Sequence, residues 1–171
     1  MDNSPNNVTS DTNNDPFTVY HIKIEHFYFS SGDIDHGGPI ATSVEISQNF
    51  NFQTFQAEWT KIVTHKYYDL ENGTKHATDT YTEKIENADA LIAEIQKNDL
   101  RNLKNNYFTD MPPHNYSHWE LSYNYYFKIA GTYDQEIPEF KRISEILNFE
   151  AIMKQEQEKI KEKINNKQNN N

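Results

Sequence analysis

The chain has 171 residues, with 26 acidic against 16 basic side chains and a formal net charge of -10. That field repels phosphate, so neither nucleic acid nor an anionic membrane is expected as a partner; the lack of cysteine removes disulfides, thiolate zinc sites and thiol nucleophiles. Mean hydropathy is only -0.95, yet 10 Phe, 11 Tyr and 2 Trp exceed what a disordered chain carries, so a core built on aromatic residues is expected.

No stretch approaches the roughly 20 apolar residues of a membrane span, and the first residues lack the cationic start and apolar run of a secretion signal. The reading is a soluble, cytoplasmic protein. Residues 1–16 are polar and 165–171 are almost all Asn and Gln, and both tails are expected to be disordered. Between them, residues 17–148 carry no repeat and no Gly- or Ser-rich linker, which predicts a single α+β domain followed by a charged, solvated helix over 149–164.

In chain order, Tyr20, Ile22 and Ile24 alternate with His21, Lys23 and Glu25, the period of a strand with one buried face. Ile40, Thr42, Val44 and Ile46 repeat that pattern, and a third run starts with Phe55, Ala57 and Trp59 and continues to Leu70. Asn72-Gly73 then signals a two-residue hairpin turn, since both residues accept the positive φ of type I′. Centring the turn on that pair sets Lys66 opposite Asp79 and Asp69 opposite His76, and leaves the hairpin tip without a clean apolar face. Asn87 is placed to cap a long helix through Leu103, with Leu91, Ile92 and Ile95 on one stripe, and this helix is expected to cover the sheet. Met111-Pro112-Pro113 marks a loop; Trp119, Leu121, Tyr123, Phe127 and Ile129 give a closing strand pair; Pro138 suits the first position of a helix carrying Phe140, Ile143 and Leu147. The sum is α+β: a mostly antiparallel sheet of five to seven strands, one long helix packed on it, and helices at the C-terminus.

Catalytic motifs are absent: no Gly-x-Ser-x-Gly elbow, no Gly-rich phosphate loop and no singled-out carboxylate pair. Asp33, Asp35 and His36, beside Gly37-Gly38, have donors for a divalent cation but not the spacing of a Ca2+ loop; the same residues serve a polar turn. The seven His include no pair at the spacing of a helical zinc site. Tyrosines remain, and Tyr is enriched in protein interfaces. Tyr67, Tyr68 and Asp69 near the hairpin tip, with Tyr107 and Tyr116 flanking the proline loop, are the candidate contact residues. The expected function is therefore an acidic, non-enzymatic protein-binding module of the inhibitor, immunity or counter-defence type, with no cofactor and another protein as partner. The alternative is a small metal-dependent hydrolase or ligand-binding protein using Asp33, Asp35 and His36.

Overall fold

Alternation in the first two strands sends Ile22, Ile24, Val44 and Ile46 to one side, where the register pairs Ile22 with Ile46 and Ile24 with Val44. The computed structural model describes residues 15–29, 40–69, 75–109 and 116–169. Its strands are β1 (His21–Phe29), β2 (Ile40–Asn51), β3 (Gln56–Asp69), β4 (Lys75–Lys84), β5 (Asn106–Tyr107), β6 (Tyr116–Tyr123) and β7 (Phe127–Thr132). They form one sheet in the order β4-β3-β2-β1-β6-β7-β5, antiparallel except where β5 runs parallel to β7. Its helices are α1 (Ala88–Gln96), α2 (Pro138–Ile146) and α3 (Phe149–Asn169), so the fold is mixed α+β, as the patterning predicts.

One side of the sheet is apolar and carries the helices. Ile22, Ile24, Val44, Val63, Trp119, Leu121 and Ile129 meet Ile92 and Ile95 of α1, Ile143 of α2, and Phe149 and Ile152 of α3 in a single core. Trp119 stacks on Phe140 with centroids 4.1 Å apart, and its indole N–H donates to the Thr132 carbonyl at 3.3 Å. The other side is polar: Lys23 pairs with Glu25 at 3.1 Å, Lys128 pairs with Glu120, and His21 bonds Glu45. Glu25 and Glu120 face each other across β1 and β6, so each lysine also offsets a like-charge contact.

Several expectations are corrected. The long helix from Asn87 to Leu103 is a nine-residue helix followed by a 3-10 turn at Leu100–Asn102, and Asn87 makes no side-chain cap. The helix stops because the Asn98 side-chain amide donates to the carbonyls of Glu94 and Ile95, and Asp99 accepts from Arg101 N–H to start the next turn. The β3–β4 register is one residue away from the expected one: Lys66 faces Thr78, His65 faces Asp79 and Asp69 faces Lys75. Because side chains alternate, that single step decides which side each β4 residue takes; the observed register puts Tyr81 beside Val63 on the helix-covered side, where the expected one would have put Thr82. The observed pairs do not fit a two-residue turn centred on Asn72-Gly73, and residues 70–74 lie outside the described residues.

The helix expected to be solvated from residue 149 begins inside the core, with Phe149, Ile152 and Glu156 buried. Asn148 at φ 54 closes α2 in the left-handed conformation and turns the chain so that α3 starts on an apolar residue. α3 also continues to Asn169, past the start of the expected C-terminal tail, because Lys, Gln and Glu sustain a helix where no Pro or Gly interrupts. Residues 1–14 and 170–171 lie outside the description.

Candidate functional site

The ladder registers gather several separate segments at one end of the sheet. Asn51 pairs with Gln56 at the β2–β3 turn, His21 with Ser47, Ile22 with Tyr123, and Tyr123 with Phe127 at the β6–β7 turn. Of the eleven large hydrophobic side chains exposed among the described residues, seven lie here: Tyr20, Phe50, Phe52, Phe55, Tyr125, Tyr126 and Phe127. A concentration of that kind makes this end the candidate site, whereas scattered exposed aromatics need no explanation.

The β2–β3 turn is built by Asn51, whose side-chain oxygen accepts from the backbone N–H of Gln53 at 2.9 Å and of Thr54 at 3.2 Å. Such a bond reproduces a backbone turn with a side chain, so Asn at this position starts the reversal. The loop then leaves through Phe55 at φ 54, a left-handed conformation that suits Gly or Asn and is an outlier for a bulky side chain. It costs a residue of this kind about 1–2 kcal/mol. No burial of Phe55 offsets that: Phe52 is 79% and Phe55 78% exposed. Their rings lean on Phe50, with centroids 5.1 Å and 6.5 Å away.

The β6–β7 turn has the same chemistry with firmer anchorage. Asn124 at φ 50 and Tyr125 at φ 64 are both left-handed. Asn124 donates through its side-chain amide to the Thr18 carbonyl at 2.8 Å, accepts from Tyr20 N–H at 3.0 Å, and donates its backbone N–H to the His21 carbonyl at 2.8 Å. His21 holds the next residue: its Nε2 donates to Glu45 at 2.9 Å, which leaves Nδ1 to accept from Tyr125 N–H at 3.3 Å. The two rings stack 3.9 Å apart. Burial pushes the His21 pKa below its ordinary value against the pull of Glu45, consistent with the neutral tautomer that these bonds require. Tyr126, at the tip, is 85% exposed.

Tyr20 joins the two turns. Its carbonyl accepts from Gln48 N–H at 2.9 Å and its ring lies 6.0 Å from that of Tyr125. Beside the β2–β3 turn an open groove of about 630 Å3 runs between the start of β3 and the start of α1, with Ala57, Trp59 and Ile85 among its lining. Glu58, Glu86 and Asp89 line it against one cation, Lys84, which is already 3.5 Å from Glu58. The groove is therefore acidic.

The residues singled out from sequence fall elsewhere. Tyr67, Tyr68 and Asp69 end β3 at the opposite end of the sheet, in register with Ala77, His76 and Lys75, and their side chains lie outside those described. Tyr107 is half-buried in β5, its ring 6.3 Å from Trp119 and its hydroxyl oxygen accepting from Lys104 N–H at 3.0 Å. Gly131 lets it approach: a Cβ there would sit 2.8 Å from that of Tyr107. Tyr116 opens β6, with its side chain outside the description, and Asp33, Asp35 and His36 lie outside the described residues. Among the described residues no three His, Asp or Glu gather as a metal site, and no helix is long and apolar enough to cross a membrane.

No protein-family model matches the chain, and no curated protein or solved structure matches it. The functional reading therefore rests on the geometry of this molecule.

Proposed function

We propose that the protein is an acidic, non-enzymatic binding module of the cytoplasm that recognises another protein through the aromatic end of its sheet. The observation that carries the reading is Phe55, a left-handed, solvent-exposed aromatic residue in a turn where glycine would relieve the backbone. Strain at an exposed position does nothing for the isolated fold, and a bound partner supplies the missing burial. Phe52, Tyr126 and Tyr20 extend the same surface, which offers large contact area on side chains with few rotatable bonds. The acidic lining of the neighbouring groove suits a basic partner surface, and the net charge of -10 assists its approach.

The test is capture from a lysate of the source organism with three full-length baits: wild type, Phe52→Ala/Phe55→Ala, and Tyr67→Ala/Tyr68→Ala/Asp69→Ala. A protein held by the wild type and lost only from the first variant places the interface at the aromatic end. Loss only from the second places it at the other hairpin tip. Capture that is equal for all three contradicts both placements.

A further inference from the structure

The two edges of the sheet differ. The β5 edge is two residues long, whereas β4 runs for ten residues and, among the described residues, has β3 as its one neighbour. Long edges are normally blunted by Lys, Pro or a bulge. In β4 the lysines stand at the two ends, Lys75 and Lys84, and the centre reads Thr78-Asp79-Thr80-Tyr81-Thr82, all exposed and all of strand-forming type except Asp79.

We infer that β4 is a self-complementary edge through which two copies of the chain join their sheets. A two-fold axis that extends an antiparallel sheet stands perpendicular to it, so both copies keep their helices on the same side and each β4 residue meets one of the same side. Few central registers satisfy that condition. Setting Asp79 opposite Asp79 of the second copy opposes two carboxylates. Setting Tyr81 opposite Tyr81 of the second copy places Asp79 against Glu83 twice. Setting Thr80 opposite Thr80 of the second copy avoids both: Asp79 meets Tyr81, and Thr78 meets Thr82, a cross-strand threonine pair that favours sheet formation. Lys159 of α3, which donates to Glu156 at 2.9 Å, also interacts electrostatically with Asp79 and Tyr81. The side of the sheet opposite the helices continues the threonine row in which Thr80 Oγ1 lies 3.5 Å from Thr64 Oγ1. This edge is separate from the aromatic end and leaves it accessible.

Sedimentation velocity on the full chain, with cysteine cross-linking, tests the inference against no background, because the chain contains 0 Cys. Thr80→Cys places two thiols opposite each other with Cα atoms about 4.5–5.5 Å apart, within disulfide reach. Thr82→Cys places its two thiols four residues out of register, about 14 Å apart. The expected results are a wild-type dimer, a rapid covalent dimer from Thr80→Cys, none from Thr82→Cys, and a monomer of unchanged melting temperature from Thr80→Lys. A wild-type chain that stays monomeric up to submillimolar concentration, or equal cross-linking by both cysteine variants, overturns the inference.

Discussion

The β2–β3 and β6–β7 turns stand at the same end of the sheet, both use left-handed residues that are not glycine, and both expose aromatic rings, yet they are held in different ways. The β6–β7 turn is tied to the N-terminal segment by Asn124 and to β1 by His21. Its strained residues are therefore offset by hydrogen bonds and by a stacked ring, and its conformation has a structural explanation. Among the described residues the β2–β3 turn is held locally, by the Asn51 side chain on Gln53, Thr54 and Glu58 and by Phe50 against the rings of Phe52 and Phe55, which stay largely exposed. The contrast separates strain that the fold compensates from strain that it does not. Only the second kind supports the proposed binding surface.

The largest effect that would sharpen this comparison is on stability. Asn124→Ala removes the bonds to Thr18 and Tyr20 and leaves a left-handed alanine, and it is expected to destabilise the protein by about 2–3 kcal/mol in denaturant titration. Asn51→Ala removes three bonds at the edge of an exposed turn, those with Gln53 and Thr54 N–H and with the Glu58 carboxylate, and about 1 kcal/mol is expected because the turn is open to water. Equal losses would erase the distinction between anchored and free turns.

A second difference is pH dependence. The folded pKa of His21 lies below 6.5, so the unfolded chain takes up a proton first as the pH falls. The stability contributed by neutral His21 is present above that pH and is lost below it. Protonation also removes the Nδ1 acceptor from Tyr125 N–H, whereas the carboxamide of Asn51 does not titrate. In NMR titrations the Tyr125 amide is expected to shift with a midpoint below 6.5, while the Gln53 and Thr54 amides stay constant through it. His26, pushed down to about 4 by burial and by His118 and bonded through Nδ1 to the Tyr133 hydroxyl at 2.7 Å, contributes to acid destabilisation with the same sign. Titration of all three amides together would contradict the assignment of the Tyr125 bond to His21.

Sequence reading reached the sheet through Ile22, Ile24, Val44 and Ile46, whose alternation is dictated locally by burial of one side. Pro138 likewise marked the start of α2 through a rule that acts at one residue. The β3–β4 register was not legible, because it depends on which residue sits beside Val63 under the helices and not on the turn pair alone. Nor was the end of α1, which is set by the Asn98 side chain folding back on the last carbonyls. The aromatic end escaped for a related reason: Phe55 alternates with Ala57 and Trp59 and so reads as the start of the third strand, and only its left-handed φ and the pairing of Asn51 with Gln56 show that it belongs to the turn before β3. Tyr67, Tyr68 and Asp69 stood out because a turn signal was visible beside them, whereas the β2–β3 turn has no Gly or Pro to announce it.

The smallest change is the most direct test of the central claim. Phe55→Gly removes one exposed ring and relieves one left-handed residue, and its stability and its capture of a partner should move in opposite directions. Measured side by side with the wild type, the variant is expected to be as stable or up to about 1 kcal/mol more stable in denaturant titration and to lose at least tenfold in affinity for the captured protein. A variant that is less stable, or one that binds as tightly as the wild type, would contradict the account.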